Sequence, residues 1–327
     1  MTAATLEIRS NGALNVVQDL GRQGWLAQGV SNAGAMDVDA LRLANALAGN
    51  VADSAVIEIS LFPFRAQLLA DATLAWTGAD STVTIDGVQR PPWWSAHVRS
   101  GQSITIAPPR RGARVYLACG GGFDVPQVLG SRSTDLKGGF GGLEGRGLKR
   151  GDLLAVAGPS LGTPRSFGLL PPARQELFNE LDKGVVTLRA IAAAEYDRFT
   201  TETQVAFEQT AYVVTSEANR TGYRLEGAPL ALAERLELLS HGIVPGTVQV
   251  PPNGQPIIQL ADANTCGGYP KIATVIETDL WRVAQAPVGT RLRFEMVSAD
   301  TAAQQLRAYG CEHQRLTASI EHQRRHP

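Results

Sequence analysis

The chain has 327 residues, 44% hydrophobic and 19% charged, with a formal net charge of −1. That length suits one large or two smaller domains with ample core, and the near-neutral balance argues against a nucleic-acid footprint or an anionic membrane surface as partner. Three widely spaced cysteines (Cys119, Cys266 and Cys311) with no CxxC exclude a disulfide framework and a thiolate zinc site. No charged amino terminus leads into a long apolar run, so neither a signal peptide nor a membrane helix is expected, and the expected compartment is the cytoplasm.

In chain order, residues 5–25 alternate apolar and polar around Asn11-Gly12, which predicts two strands joined by a tight turn. Ala35 to Ala48 has helical periodicity through Met36, Ala40, Leu43, Ala44 and Leu47, with Asp37 as a capping residue and Gly49-Asn50 as the stop. From Ala55 to Leu117, short strands recur at roughly 8–12-residue spacing between Gly, Pro and Asp turns, the pattern of a barrel or sandwich. The glycine-rich run that follows predicts long ordered loops, and GDLLAVA a closing strand. Trp93-Trp94, after Pro91-Pro92, is either an exposed partner patch or packing at a barrel end.

Composition changes at 158–174, rich in Pro and Gly, which we take as a linker between an N-terminal domain (1–157) and a C-terminal domain (175–327). In the second half VVTLRAIAA, AYVVT, YRLEG, GTVQV, PIIQLAD and TRLRFEMV read as strands. EYDRFTTETQVAFEQ reads as an amphipathic helix, and SADTAAQQLRAYG as a closing helix whose tail frays. ATVIETDLWRVAQ fits either a strand and turn or a short helix. Gly21-Arg22-Gln23-Gly24-Trp25 echoes Asn219-Arg220-Thr221-Gly222-Tyr223, a hint of two related β-rich halves.

Several signatures fail. There is no GxxxxGK[ST], hence no P-loop for ATP, and GGFGGLEG lacks the strand-to-helix context of a dinucleotide fingerprint. HExxH is absent, the five histidines show no ligand spacing, and no metal site is expected. Gly158-Pro159-Ser160-Leu161-Gly162 matches GxSxG, but the prolines that follow deny Ser160 the helix of a nucleophile elbow. Met-Lys does not occur, so the chain is not expected to carry its own biotin.

A set of ordered words survives. It begins with Gln18-Asp19-Leu20-Gly21-Arg22-Gln23-Gly24-Trp25 and Gly34-Ala35-Met36-Asp37, and continues with Ser131-Arg132-Ser133-Thr134 and Gly145 to Asp152. The second half adds Asn219 to Gly227, Pro245-Gly246-Thr247-Val248-Gln249-Val250-Pro251 and Thr265-Cys266-Gly267-Gly268-Tyr269-Pro270-Lys271. Over residues 5–300 this series resembles the family of the C subunit of the bacterial ATP-dependent 5-oxoprolinase, also described as KipA-like or allophanate hydrolase subunit 2-like and often labelled a biotin-dependent carboxyltransferase. The departures are small: the family usually has Ser-Asp or Ser-Asn before the Arg220 position and often a second Thr at Cys266, which makes Cys266 a poor nucleophile.

The resemblance implies a mainly β fold with a few helices, built as two cyclophilin-like β-barrel domains. It also implies a hetero-oligomer with homologues of the 5-oxoprolinase B and A subunits, in which ATP drives opening of the lactam of 5-oxo-L-proline to L-glutamate. One alternative is a carboxyltransferase component that moves a carboxyl group from carboxybiotin, carried by another chain, to urea or a similar amide. Another is a non-catalytic regulator that binds a partner resembling the B subunit.

Two clusters, Asn219 to Glu226 and Asp262 to Lys271, supply the candidate site. Lys271 can stabilise developing negative charge and Tyr269 can donate a hydrogen bond, or they are a solvated lysine and a cross-strand tyrosine. Asp262 can accept an amide N–H or act as base, or cap a turn. Arg220 and Arg224 can clamp a carboxylate or phosphate, or pair with Glu217 or Glu226. Tyr223 and Thr265 complete the binding set. Arg132 and Ser133, in a loop of hydroxyls and backbone N–H groups, can cradle an anion or knit the loop; Asp19 and Arg22 read as structural ion-pairing residues that engage each other or the loops beyond.

Overall fold

Strand-length alternation dominates this chain, and the computed structural model describes it over residues 4–158 and 166–325. Ser160 lies outside them. The described residues hold twenty-one short strands and five α-helices and pack as two units. Unit 1 comprises Met1–Arg22, Ala33–Gln175 and His313–Pro327; unit 2 comprises Gln23–Asn32 and Glu176–Glu312.

The strands of unit 1 are β1 (Leu6–Ile8), β2 (Val16–Gln18), β3 (Val56–Ile59), β4 (Phe64–Leu68), β5 (Ala72–Asp80), β6 (Val83–Ile85), β7 (Val88–Arg90), β8 (Trp94–Val98), β9 (Ser103–Ile106), β10 (Arg111–Cys119), β11 (Leu153–Leu154) and β12 (Phe167–Gly168). They form two open six-stranded sheets, ordered β11-β1-β4-β9-β6-β7 and β12-β8-β5-β10-β3-β2. Successive side chains on a strand face opposite ways, and the second sheet uses both faces. Ile57, Leu74, Trp76 and Leu117 join Leu6, Ile8, Phe64 and Leu68 of the first sheet in one core. Their neighbours Val56, Ala75, Tyr116 and Ala118 pack instead on helix α1 (Val38–Ala48).

Helix α1 begins where the capping residue predicts. The Asp37 side chain accepts from the Ala40 N–H at 3.0 Å, and Gly49 takes the left-handed conformation that ends the helix. Glu58 lies beneath it, fully buried, and accepts from the Tyr116 hydroxyl at 2.7 Å and the Met36 N–H at 2.8 Å. Burial, reinforced by the Glu58 charge, pushes the Tyr116 phenol well above its ordinary pKa.

Three expectations differ from what is observed. The Asn11-Gly12 hairpin is absent: β1 pairs with β4 and β11, β2 pairs with β3, and the intervening residues bond to 148–150 instead. Among the described residues unit 1 is a pair of open sheets, and one of the two expected closed barrels is present. Within 158–174, β12 pairs with β8, and α2 (Pro172–Asp182) starts on a Pro-Pro step that composition assigns to a linker. Proline suits the first turn of a helix, where its missing N–H has no intrahelical acceptor to lose. Trp93 is buried, with its indole N–H on the Gly78 carbonyl at 3.0 Å, so it packs the unit and is no surface patch.

The glycine-rich run folds as ordered loops because its backbone lies against other backbone. Gly141 has φ +72°, and a Cβ there would stand 2.1 Å from the Ser133 carbonyl oxygen. Gly141→Ala is expected to lower stability by about 1–3 kcal/mol, read as a depressed midpoint in a thermal melt; an unchanged midpoint would show that the loop yields freely.

Unit 2 contains β13 (Val185–Ala192), α3 (Thr201–Gln209), β14 (Ala211–Val214), β15 (Gly222–Glu226), β16 (His241–Gly242), β17 (Thr247–Gln249), β18 (Ile257–Gln259), β19 (Cys266–Gly267), β20 (Lys271–Val275), α4 (Leu280–Ala284) and β21 (Arg291–Met296). Seven strands close a barrel in the order β13-β20-β17-β18-β15-β14-β21. All its pairs are antiparallel except β13 with β21. Val186, Leu188, Val248, Ile258, Leu292 and Phe294 are buried in it, and Phe207 of α3 stacks on Phe294 with centroids 4.3 Å apart. The ambiguous ATVIETDLWRVAQ stretch is both things in turn, the end of β20 and then α4.

The closing helix, α5 (Ala299–Arg325), runs well beyond the predicted element. Ile320 is fully buried among α1 residues, and the Arg324 guanidinium donates to the Leu47 carbonyl at 2.7 Å. That bond satisfies one of the orphan carbonyls at the end of α1. Among the described residues, no helix is long and apolar enough to cross a membrane, and no group of three His, Cys, Asp or Glu could hold a metal ion.

Candidate functional site

A polar cluster of unit 2 is built on two adjacent barrel strands. The β17–β20 register pairs Gln249 with Lys271 just past an irregularity between Val248 and Gln249. Lys271 is buried, yet its amine meets the ring of His241 in a short hydrogen bond to Nε2. The other ring nitrogen of His241, Nδ1, lies 3.0 Å from the Leu239 carbonyl oxygen. A carbonyl can only accept, so that contact places the ring proton on Nδ1 and leaves Nε2 as the acceptor for the lysine.

Glu195 completes the group. One carboxylate oxygen accepts from the Lys271 backbone N–H at 3.1 Å, and the other lies 4.0 Å from His241 Nε2. Burial pushes the Lys271 pKa below the usual lysine range, and the Glu195 charge opposes the shift. Beside this carboxylate, the amine retains N–H donors beyond the one engaged by His241 for an incoming oxygen.

Two glutamines line the adjacent wall. The Gln259 amide nitrogen donates to Gln249 Oε1 at 3.0 Å, and both side chains are buried. Above Gln249 runs a separate two-stranded ribbon in which β16 pairs with β19, His241 opposite Gly267 and Gly242 opposite Cys266. The Ile243 N–H lengthens the ribbon by bonding to the Thr265 carbonyl at 3.2 Å.

The other predicted residues are distributed as follows. Arg220 makes a bidentate pair with Asp262, at 2.8 and 2.9 Å, with both side chains buried. The Asp262 N–H also donates to the Arg220 carbonyl at 3.0 Å. That pair holds the start of the loop that carries Thr265, Tyr269 and Lys271. Tyr223 is buried, whereas Arg224 is exposed and pairs with exposed Glu217 at 2.8 Å, a contact worth little in water. Thr265 is half-buried and Tyr269 is 47% exposed.

Arg132 and Ser133 belong to unit 1. The Ser133 hydroxyl, fully buried, donates to Asp19 Oδ1 at 2.5 Å. The Arg132 N–H donates to Asp19 Oδ2, also at 2.5 Å. Arg22 donates to the Ser133 carbonyl at 2.5 Å and lies 4.0 Å from the Asp135 carboxylate, so Asp19 and Arg22 both engage the 131–135 loop. Of the cysteines, Cys119 is buried and its thiol is pushed up to about 12 by desolvation, which leaves it unreactive.

Glu195, His241, Gln249 and Gln259 are not legible as site residues in the sequence. A polar Gln among the apolar residues of a short barrel strand, in TVQV and again in IIQL, is the available signal for two of them. His241 and Glu195 carry none, because each reaches Lys271 from a distant part of the chain.

Comparison with known proteins covers almost the whole molecule. Residues 28–296 match the carboxyltransferase domain, subdomain A and B. The chain is 41% identical over 297 residues to the 5-oxoprolinase C subunit of Escherichia coli, covering 91% of this chain and 93% of that one. The corresponding protein of Haemophilus influenzae is 39% identical, with 91% and 92% covered. Urea amidolyase of Saccharomyces cerevisiae is 30% identical over 91% of this chain but only 17% of its own length. The crystal structure of the K. lactis urea amidolyase superposes with a TM-score of 0.87 at 28% identity, covering 97% of this chain and 20% of that one. The chain therefore spans a fifth or less of these urea amidolyases, and nearly all of the two 5-oxoprolinase proteins.

Proposed function

This chain belongs to the family of the 5-oxoprolinase C subunit and carries its carboxyltransferase domain of subdomains A and B; from that premise we propose that it is the C subunit of an ATP-driven 5-oxoprolinase. In this reading it works in the cytoplasm with homologues of the B and A subunits, and opens 5-oxo-L-proline to L-glutamate. The carrying observation is the buried Lys271 amine, oriented by His241 and backed by Glu195.

The chemistry fits an amide. Phosphoryl transfer from ATP to the lactam oxygen, with ADP leaving, activates the carbonyl carbon; water attacks it, the C–N bond breaks and the ring nitrogen takes a proton, and a second water releases phosphate from the resulting acyl phosphate to give L-glutamate. Lys271 is suited to hold the lactam oxygen as negative charge builds there. Tyr269, which is exposed, is assigned to donate to the substrate carboxylate. The Arg220–Asp262 pair acts as a positioning device for the 262–271 loop, and Thr265 anchors that loop to the ribbon. Arg132 and Ser133 brace the Asp19 loop, and Arg224 is left as a surface cation for the ligand carboxylate or a partner. ATP is assigned to another chain because this sequence has no P-loop. A cyclophilin-like ancestry for both units is part of the same reading, supported by the closed barrel of unit 2.

The test is reconstitution with homologues of the B and A subunits, measured as ADP release dependent on 5-oxo-L-proline. Turnover is expected only when all three chains are present. Turnover by the isolated chain, transfer from carboxybiotin to urea in place of lactam opening, or a tight inert complex would each overturn this reading; the last two would favour a carboxyltransferase component and a regulator, respectively.

A further inference from the structure

The Gln249 side chain is buried and held at one end only. Its Oε1 accepts from Gln259, while Nε2 is enclosed and has no hydrogen-bond partner among the described residues. Leaving such a donor without an acceptor is costly, and native folds seldom keep one. A Val or Leu at this barrel position would avoid that cost, so the amide calls for an acceptor that arrives from outside.

What covers Nε2 is the β16–β19 ribbon. A Cβ at Gly267 would lie 2.6 Å from Nε2, closer than to any other atom of the side chain. Each strand of the ribbon has two residues, the ribbon is a sheet of its own, and His241, Gly242 and Cys266 are exposed. Little apolar burial secures it, which is the property of an element that opens at low free-energy cost. Only glycine at 267 lets the backbone close over the amide.

We propose that the β16–β19 ribbon is a flap over a carbonyl-binding site in which Gln249, oriented by Gln259, donates to the carbonyl oxygen of a planar amide. The inference rests on the reading of the Lys271 cluster as the lactam site. Lys271 is the cross-strand neighbour of Gln249 and supplies the second donor to the same oxygen. When the flap lifts, the lactam carbonyl takes the position over Nε2 that Gly267 vacates. Gln249 is a specificity residue here: it reads an oxygen acceptor of amide geometry, while Lys271 answers the charge.

The test uses the reconstituted three-chain complex with 5-oxo-L-proline and its 5-thioxo analogue, whose sulfur is a poorer hydrogen-bond acceptor. The wild type is expected to favour the lactam, by KM against Ki, about tenfold. Gln249→Met should raise KM for the lactam about tenfold and reduce the preference to about twofold. Gln249→Glu keeps the bond from Gln259 and the side-chain shape but removes the inward donor, and should lose the preference as well. Gly267→Ala, which obstructs closure of the empty flap over Nε2, should lower KM for the lactam and Ki for the analogue alike. Retained tenfold preference in both Gln249 variants, with Lys271→Met inactive, overturns this inference alone; Lys271→Met at wild-type rate overturns the site reading beneath it.

Discussion

Replacing Lys271 by methionine in the assembled enzyme is expected to lower kcat by about 10²–10³-fold, the usual consequence of removing one preorganised donor to a developing oxyanion. Methionine fills much of the same volume without charge, so the fold should survive and association with the partner chains should be unchanged. Arginine should not rescue, because its larger planar fork does not fit where a compact ammonium meets the His241 ring. The pH profile provides a second readout. Burial holds the Lys271 pKa below the ordinary lysine range, so activity that needs the ammonium should fall as pH rises through that lowered value. The basic limb should accordingly begin below about pH 10.4, the unperturbed lysine midpoint, and vanish in Lys271→Met. A wild-type rate in that variant, or an unchanged basic limb in its residual activity, would remove Lys271 from the chemistry.

The parts of the molecule that read correctly from sequence are those decided by local physics. Helix α1 is legible at both ends, because Asp37 offers a side-chain acceptor and Gly49 tolerates the left-handed exit. Strand positions are legible because alternation and turn residues are properties of a few consecutive positions. Pairing is not. The Asn11-Gly12 turn has the look of a hairpin, yet its flanking strands belong to different sheets, and barrel closure depends on a parallel pair between β13 and β21, about a hundred residues apart in sequence.

The same division runs through the site. Glycines before Tyr269 and Lys271 point to a loop where backbone can approach a ligand, and that loop carries the buried amine. The carboxylates near Arg220 in sequence are Glu217 and Glu226, whereas its partner in the fold is Asp262, 42 residues away. Glu195 and His241 come to Lys271 from 76 and 30 residues away. His241 reads as a loop histidine in the sequence; only the fold gives it a lysine.

Arg174→Met should destabilise the protein by about 3–5 kcal/mol, the range for removing one partner of a buried ion pair. Arg174 is 1% exposed and its guanidinium makes two bonds to Asp37, at 2.6 and 2.8 Å, with Asp39 a further 3.4 Å contact. It also lies over the buried Trp93 ring, 5.2 Å from the centroid. Methionine replaces the aliphatic stem but leaves the Asp37 charge in the interior with its strongest counter-ion gone. Asp37 cannot simply move to water, because its side chain also caps α1 and its N–H donates to Tyr116 at 2.8 Å. The double variant Arg174→Met, Asp37→Asn should recover most of the loss, since asparagine caps a helix as well as aspartate and carries no charge to strand. Denaturant melts of the wild type, both single variants and the double variant close the cycle, with a coupling energy of about 1–3 kcal/mol expected for residues in direct contact. A loss below about 1 kcal/mol in Arg174→Met would place the pair with surface ion pairs in energy despite its burial, and α1 would then owe its anchoring to Tyr116, Glu58, Arg324 and the apolar face.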